Sequence, residues 1–175
     1  MGMLVKICGL SSLETVDAAL AAGADMLGFV HFEKSPRHLT LEAARSLSEH
    51  IGDKARKVLL TVDMDDVALA HAVAVVRPDA LQLHGREPPD RVTSLKARFG
   101  LPVVKAIAIG GSPDDFDRIA LYDGIADMLL LDAPSREGSR RPGGNGVRFD
   151  WNRLAALEIA TPWLLAGGLT PDNVA

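Results

Sequence analysis

Seven short apolar runs recur along the chain, at residues 4–8, 26–30, 57–62, 80–83, 103–107, 128–131 and 163–166. Several carry almost no polar position, the pattern of parallel strands covered on both faces. Segments with helical spacing separate them. Leu13, Val16, Ala19 and Leu20 form one stripe, Leu41, Ala44 and Leu47 a second, and Val67, Ala70 and Val75 a weaker third. Repeated strand–helix units build a parallel sheet with right-handed crossovers. Periodicity leaves a (β/α) barrel and an open doubly wound sheet both open. Gly110-Gly111 lacks the spacing of a dinucleotide-binding loop, and seven units without that fingerprint favour the barrel.

The expected fold is therefore α/β, of the (β/α)8 TIM-barrel type, with about seven strands and six full helices. It forms one domain over residues 3–175 that is truncated after strand seven. Met1-Gly2 ahead of Met3 reads as a cloning addition. Helix starts are marked at Ser11, with Glu14 completing a capping box, and at Asp63, Pro88-Pro89, Ser112-Pro113 and Thr170-Pro171. The segment 133–148, rich in Gly, Ser and Arg, breaks the rhythm and reads as a long mobile loop.

Composition narrows the function. A net charge of −4 argues against nucleic acid as a partner, yet leaves room for a phosphorylated substrate, because backbone N–H groups at helix N-termini bind phosphate unaided. One cysteine allows no intrachain disulfide and suits a reducing, cytoplasmic location. No run is long and apolar enough to span a membrane, and no secretory leader pattern is present.

In a barrel of this type the chemistry sits at the C-terminal ends of the strands. Cys8, His31, Asp63, His84, Ala108, Asp132 and Gly167-Gly168 stand there. Alternation puts Lys6 with Cys8, Gln82 with His84, and Leu130 with Asp132 on common faces. Facing inward, Cys8 and Asp132 would approach each other across the barrel mouth. A lone cysteine on an apolar strand is ordinarily inert, Asp63 ordinarily a helix cap, and an arginine such as Arg37 ordinarily a solvated loop charge. His31, His38, His50 and His71 have no metal-ligand spacing.

The ordered set Lys6-Ile7-Cys8-Gly9, Gly28-Phe29-Val30, Ser35-Pro36-Arg37, Gln82-Leu83-His84-Gly85, Lys105-Ala106, Leu131-Asp132, Gly143-Gly144-Asn145-Gly146, Phe149-Asp150-Trp151 and Leu165-Ala166-Gly167-Gly168-Leu169 resembles the phosphoribosylanthranilate isomerase family of tryptophan biosynthesis. The resemblance implies an Amadori rearrangement of N-(5′-phosphoribosyl)anthranilate to 1-(2-carboxyphenylamino)-1-deoxyribulose 5-phosphate, with no cofactor and no metal. Carried over by position, Asp132 is the general acid and Cys8 the general base. Arg37 pairs with the anthranilate carboxylate, and His84, Gly144, Gly146, Gly167 and Gly168 bind substrate. The phosphate would sit over Gly167-Gly168 and a helix beginning at Thr170.

Family members continue through an eighth strand with an Asp-Val-Ser-Ser-Gly-like segment, whereas this chain stops at Ala175. The expectation is little isomerase activity from the 175 residues alone, with self-association or a complementing C-terminal segment as a remedy. Two other readings stand beside it. One is a non-catalytic barrel fragment. The other is a different phosphate-binding barrel enzyme such as indoleglycerol-phosphate synthase, which would need a lysine at a strand end, short of which Lys6 and Lys105 both fall.

Overall fold

The structure, a computed structural model, describes residues 3–110, 112, 114–134 and 149–174. The chain divides into two compact units, Met1–Arg86 and Glu87–Ala175.

In the first unit strands and helices alternate as β1 (Lys6–Cys8), α1 (Leu13–Ala21), β2 (Met26–Val30), α2 (Leu41–Ile51), β3 (Arg56–Thr61), α3 (Asp66–Val76) and β4 (Ala80–Leu83). The strands pair in parallel in chain order. Lys6 lies opposite Met26 and Cys8 opposite Gly28, Met26 opposite Arg56, and Val58 opposite Ala80. Every residue of β2 and of β4 is buried, as strands without a polar face must be. Leu27, Phe29, Leu59 and Leu81 are completely enclosed, and each such side chain contributes roughly 1.5–3 kcal/mol through removal from water.

The helices lie where the stripes predict, with local corrections. The cap of α1 is Ser12, not Ser11, and its box partner is Thr15, not Glu14. The Thr15 amide donates to Ser12 Oγ at 3.3 Å, and the Ser12 amide donates to Thr15 Oγ1 at 3.2 Å. The cap of α3 is Asp65, whose Oδ1 accepts from the amides of Val67 and Ala68 at 2.9 Å each. Asp63 stands outside the helix with φ at 47°, and its carboxylate accepts from the Arg86 amide at 2.6 Å. The buried face of α3 is Leu69, Ala72 and Val76, and Val67 is exposed. This helix is apolar nearly all round, so spacing alone selects the wrong stripe.

α3 ends on Arg77 in the left-handed region, φ 50° and ψ 58°. A β-carbon there costs about 1–2 kcal/mol relative to glycine. Arg77→Gly, at an exposed position, should therefore stabilise the fold by about 0.5–1 kcal/mol once glycine's extra unfolded-state freedom is subtracted. Urea unfolding at constant m-value reads this directly.

The second unit runs α4 (Pro89–Phe99), β5 (Val103–Ala108), α5 (Asp114–Ala120), β6 (Met128–Asp132), a 3-10 helix over Trp151–Ala156, and β7 (Trp163–Leu165). β6 pairs in parallel with both neighbours, placing Ala108 opposite Asp132 and Leu131 opposite Leu165. Val104, Ala106 and Leu130 form a core against which Met128, Leu164 and Ala166 pack. Pro88 stands at the N-cap position of α4 without a side-chain cap, with Pro89 opening the helix as the sequence predicts, and Gly100, at φ 62°, ends it. Residues 171–173 form a turn. Asn173 ties that turn down, accepting from the Thr170 amide at 2.8 Å and donating to the Gly168 carbonyl at 3.0 Å.

Polar groups are also enclosed here. Lys105 Nζ donates to Glu87 Oε2 at 2.8 Å, with the two side chains 2% and 5% exposed. The Tyr122 hydroxyl donates to the Glu87 carbonyl at 2.9 Å, and its ring lies 5.6 Å from Lys105 Nζ. Burial, then the charges of Glu87 and Asp90, raise the Tyr122 phenol above the ordinary tyrosine value. No described helix is long and apolar enough to cross a membrane.

Candidate active site

Cys8 ends β1, and the backbone around it is shaped by two glycines. Its register partner Gly28 leaves the space that the thiol occupies: a β-carbon on Gly28 would lie 2.8 Å from Cys8 Sγ and 3.0 Å from Lys6 Nζ. Lys6 and Cys8 thus share one face of β1, as alternation requires, while Ile7 points away and is 40% exposed. Gly9 follows at φ 85°, a conformation that disfavours any side chain, and its amide donates to the Gly28 carbonyl at 2.8 Å.

Arg37 lies over Gly9. A β-carbon on Gly9 would meet Arg37 Cδ at 2.5 Å, so only glycine admits the guanidinium here. Arg37 Nη1 donates to the Cys8 carbonyl at 3.3 Å, and the Arg37 amide donates to Ser35 Oγ at 3.2 Å. The loop that carries it is anchored on both sides. Val30 bridges to His38, and His31 Nδ1 is 2.9 Å from the Leu39 carbonyl. The rings of His31 and His38 lie 5.1 Å apart. Burial and then the neighbouring His31 hold His38 below the ordinary histidine value, against the opposing pull of Glu33.

At the end of β4, Gln82 Nε2 donates to His84 Nδ1 at 2.9 Å. Gln82 is buried, and its pairing with His84 follows from their shared face.

In the second unit Asp132 ends β6 and is 8% exposed. Its Oδ1 accepts from the Ala133 amide at 2.8 Å, and its carbonyl accepts from the Ile109 amide at 2.8 Å. Gly167, at φ 84°, packs directly on it. A β-carbon there would lie 2.6 Å from the Ala133 nitrogen and 3.0 Å from Asp132 Oδ1. The first unit therefore gathers Cys8, Arg37 and Lys6, and the second gathers Asp132 with Gly167. Gly144, Gly146 and the arginines Arg136, Arg140 and Arg141 lie outside the described residues. Among the described residues, no group of three or more His, Cys, Asp or Glu is disposed to hold a metal ion.

Sequence reasoning alone passes over two contributors. Gly28 has a role visible only once strand register sets it opposite Cys8. Glu87 meets Lys105 only through the fold, and no spacing rule links them.

A family model described as N-(5′-phosphoribosyl)anthranilate (PRA) isomerase matches residues 5–175. The chain belongs to the N-(5′-phosphoribosyl)anthranilate isomerase family. The relative of that name from Beijerinckia indica subsp. indica is 55% identical over 175 residues, covering 100% of this chain and 78% of the relative. The one from Azorhizobium caulinodans is 53% identical over 174 residues, covering 99% and 76%. Among solved structures, the Thermotoga maritima phosphoribosyl anthranilate isomerase superposes with a TM-score of 0.86 at 29% identity, covering 99% of this chain and 80% of that one. Another phosphoribosyl anthranilate isomerase, solved in complex with reduced 1-(o-carboxyphenylamino)-1-deoxyribulose 5-phosphate, gives a TM-score of 0.81 at 28% identity over 99% and 79%. The fold is accordingly of the TIM-barrel type rather than doubly wound. Like other phosphoribosylanthranilate isomerases, the protein is an enzyme of tryptophan biosynthesis acting on a phosphorylated small molecule.

Proposed function

We propose that Cys8 and Asp132 divide the two proton transfers of the Amadori rearrangement between them. Asp132 delivers its proton to the ribose ring oxygen, the C1′–O bond breaks, and the ring opens to a Schiff base. Cys8 Sγ, as thiolate, then removes the proton from C2′. The resulting enolamine takes up a proton at C1′ and gives up that of its 2′-hydroxyl as it becomes the ketone, while Cys8 releases a proton to solvent and Asp132 regains one, so no net oxidation occurs and no redox partner is needed.

Arg37 binds the anthranilate carboxylate, a task its planar fork suits. His84 contacts the substrate, and the amides of Gly167 and Gly168 receive the phosphate, with Gly144 and Gly146 as further substrate-binding positions. The reaction takes place in the cytoplasm, where a free thiol stays reduced.

One observation carries this reading. Arg37, a ready carboxylate receptor, is anchored against the backbone of the only cysteine in the chain. A carboxylate gripped there brings the rest of its molecule to the thiol.

The test is Cys8→Ala, assayed by steady-state kinetics in a full-length version that includes the C-terminal segment, against the same version without the substitution. Turnover should fall by roughly 100-fold or more, as for loss of a general base, with KM little changed. Turnover matching the unsubstituted chain would remove Cys8 from the mechanism.

A further inference from the structure

Two residues past the end of β3, Asp63 is held in the left-handed region at φ 47°. It caps no helix, since Asp65 caps α3. A residue other than glycine is strained in that region, and such strain persists only where the surrounding structure enforces it. The enforcing contacts lie at the end of β4. β3 and β4 pair in parallel with Thr61 opposite Leu83, and the Thr61 carbonyl accepts from the His84 amide at 3.0 Å. In a parallel ladder the next acceptor would be the carbonyl two residues on, that of Asp63, and the next donor the Arg86 amide. The backbone has by then left the strand, and the Asp63 side chain supplies the acceptor instead: its Oδ1 receives the Arg86 amide at 2.6 Å. Gly85 makes room for it. A β-carbon on Gly85 would lie 2.5 Å from Asp63 Cγ and 2.8 Å from the Asp63 nitrogen.

His84 is thus held at successive points. Thr61 takes its amide, Gln82 Nε2 lies 2.9 Å from its ring Nδ1, and Asp63 fastens the backbone just after it. We propose that Asp63 is a positioning residue: its side-chain oxygen, aimed by the left-handed backbone, locks the segment 84–86 so that the His84 ring meets the substrate in one orientation. The role in binding rests on His84 being a substrate contact. The lock itself belongs to the free protein and is measured without substrate. It needs an acceptor oxygen and no particular charge, so asparagine should serve, and asparagine also tolerates the left-handed region. A merely structural Asp63 would move the melting temperature and not KM.

Asp63→Gly relieves the strain and removes the oxygen together. In the full-length version its melting temperature should stay close to that of the unsubstituted protein, while the Arg86 amide exchanges with deuterium about tenfold faster or more, the mark of a local opening. KM should rise about tenfold with kcat little changed, as when binding common to ground state and transition state is lost. Asp63→Asn keeps the acceptor and should keep most of the Arg86 protection and most of the affinity. Equal Arg86 protection in Asp63→Gly and the unsubstituted protein overturns the inference. So does a KM unmoved by Asp63→Gly where His84→Ala raises it, and so does an Asp63→Asn that loses as much as Asp63→Gly.

Should Asp63→Gly fail to fold by circular dichroism, Gly85→Ala decides. Its added carbon displaces the Asp63 side chain without removing it and should reproduce the fast Arg86 exchange; unchanged protection there overturns the lock. Faster Arg86 exchange in Asp63→Gly, with KM unmoved both there and in His84→Ala, would uphold the lock and discard His84 as a substrate contact.

Discussion

Asp132→Asn is expected to lower turnover by roughly 100-fold or more while leaving the melting temperature close to that of the unsubstituted enzyme. The asparagine amide has the shape of the carboxyl and retains an oxygen to accept from the Ala133 amide, the bond made at 2.8 Å by Asp132 Oδ1. Packing against Gly167 is likewise preserved. What is lost is a transferable proton, and general acid catalysis of this kind is worth about 10²–10⁴ in rate. If the proposed acid and base serve successive steps of one conversion, Cys8→Ala combined with Asp132→Asn should fall well short of the product of the two single losses. Steady-state kinetics with a thermal melt on the same samples reads both effects. A variant turning over within about threefold of the unsubstituted chain would place the acid elsewhere, since such a change is far below the expected range.

The largest stability effect is expected at Glu87. Glu87→Ala strands the Lys105 ammonium, 2% exposed, without the carboxylate that meets it at 2.8 Å. Removing one member of a buried pair costs about 3–5 kcal/mol. In a chain of this size that lowers Tm by on the order of 10 °C. Replacing both members by apolar residues, as in Glu87→Leu with Lys105→Met, should recover most of the loss, because no charge is then left enclosed. Urea unfolding of the two single variants and the double closes the cycle. A double variant whose loss equals the sum of the two single losses would show that the pair is not coupled.

Much of the architecture is legible from pattern alone, because apolar runs of strand length leave few alternatives. Boundaries are less so, for reasons that particular residues illustrate. Ser11 and Ser12 both offer a capping oxygen with a polar side chain three residues on, and only the extended backbone at Ser12, φ −143° and ψ 158°, selects between them. Asp63 and Asp65 compete in the same way. The loser takes a positive φ and binds the Arg86 amide, 23 residues away, which no local rule foresees. At the site, the parity of Lys6 with Cys8 and of Gln82 with His84 follows from alternation. The contact of Arg37 with Cys8 needs the loop after β2 to fold back across 29 residues. The Lys105–Glu87 pair is similarly a product of tertiary packing, so composition shows the two charges and not their meeting.

Gly28 carries a consequence for anyone wishing to harden this enzyme. In the middle of a strand a glycine is the usual first target, since alanine or valine there limits the freedom of the unfolded chain and favours extended backbone. Here the added carbon would press on the Cys8 sulfur and the Lys6 ammonium, and on the Cys8 backbone itself at 3.2 Å. The substitution that ordinarily hardens a strand therefore strains this one, and selection for heat resistance should leave Gly28 in place and act elsewhere.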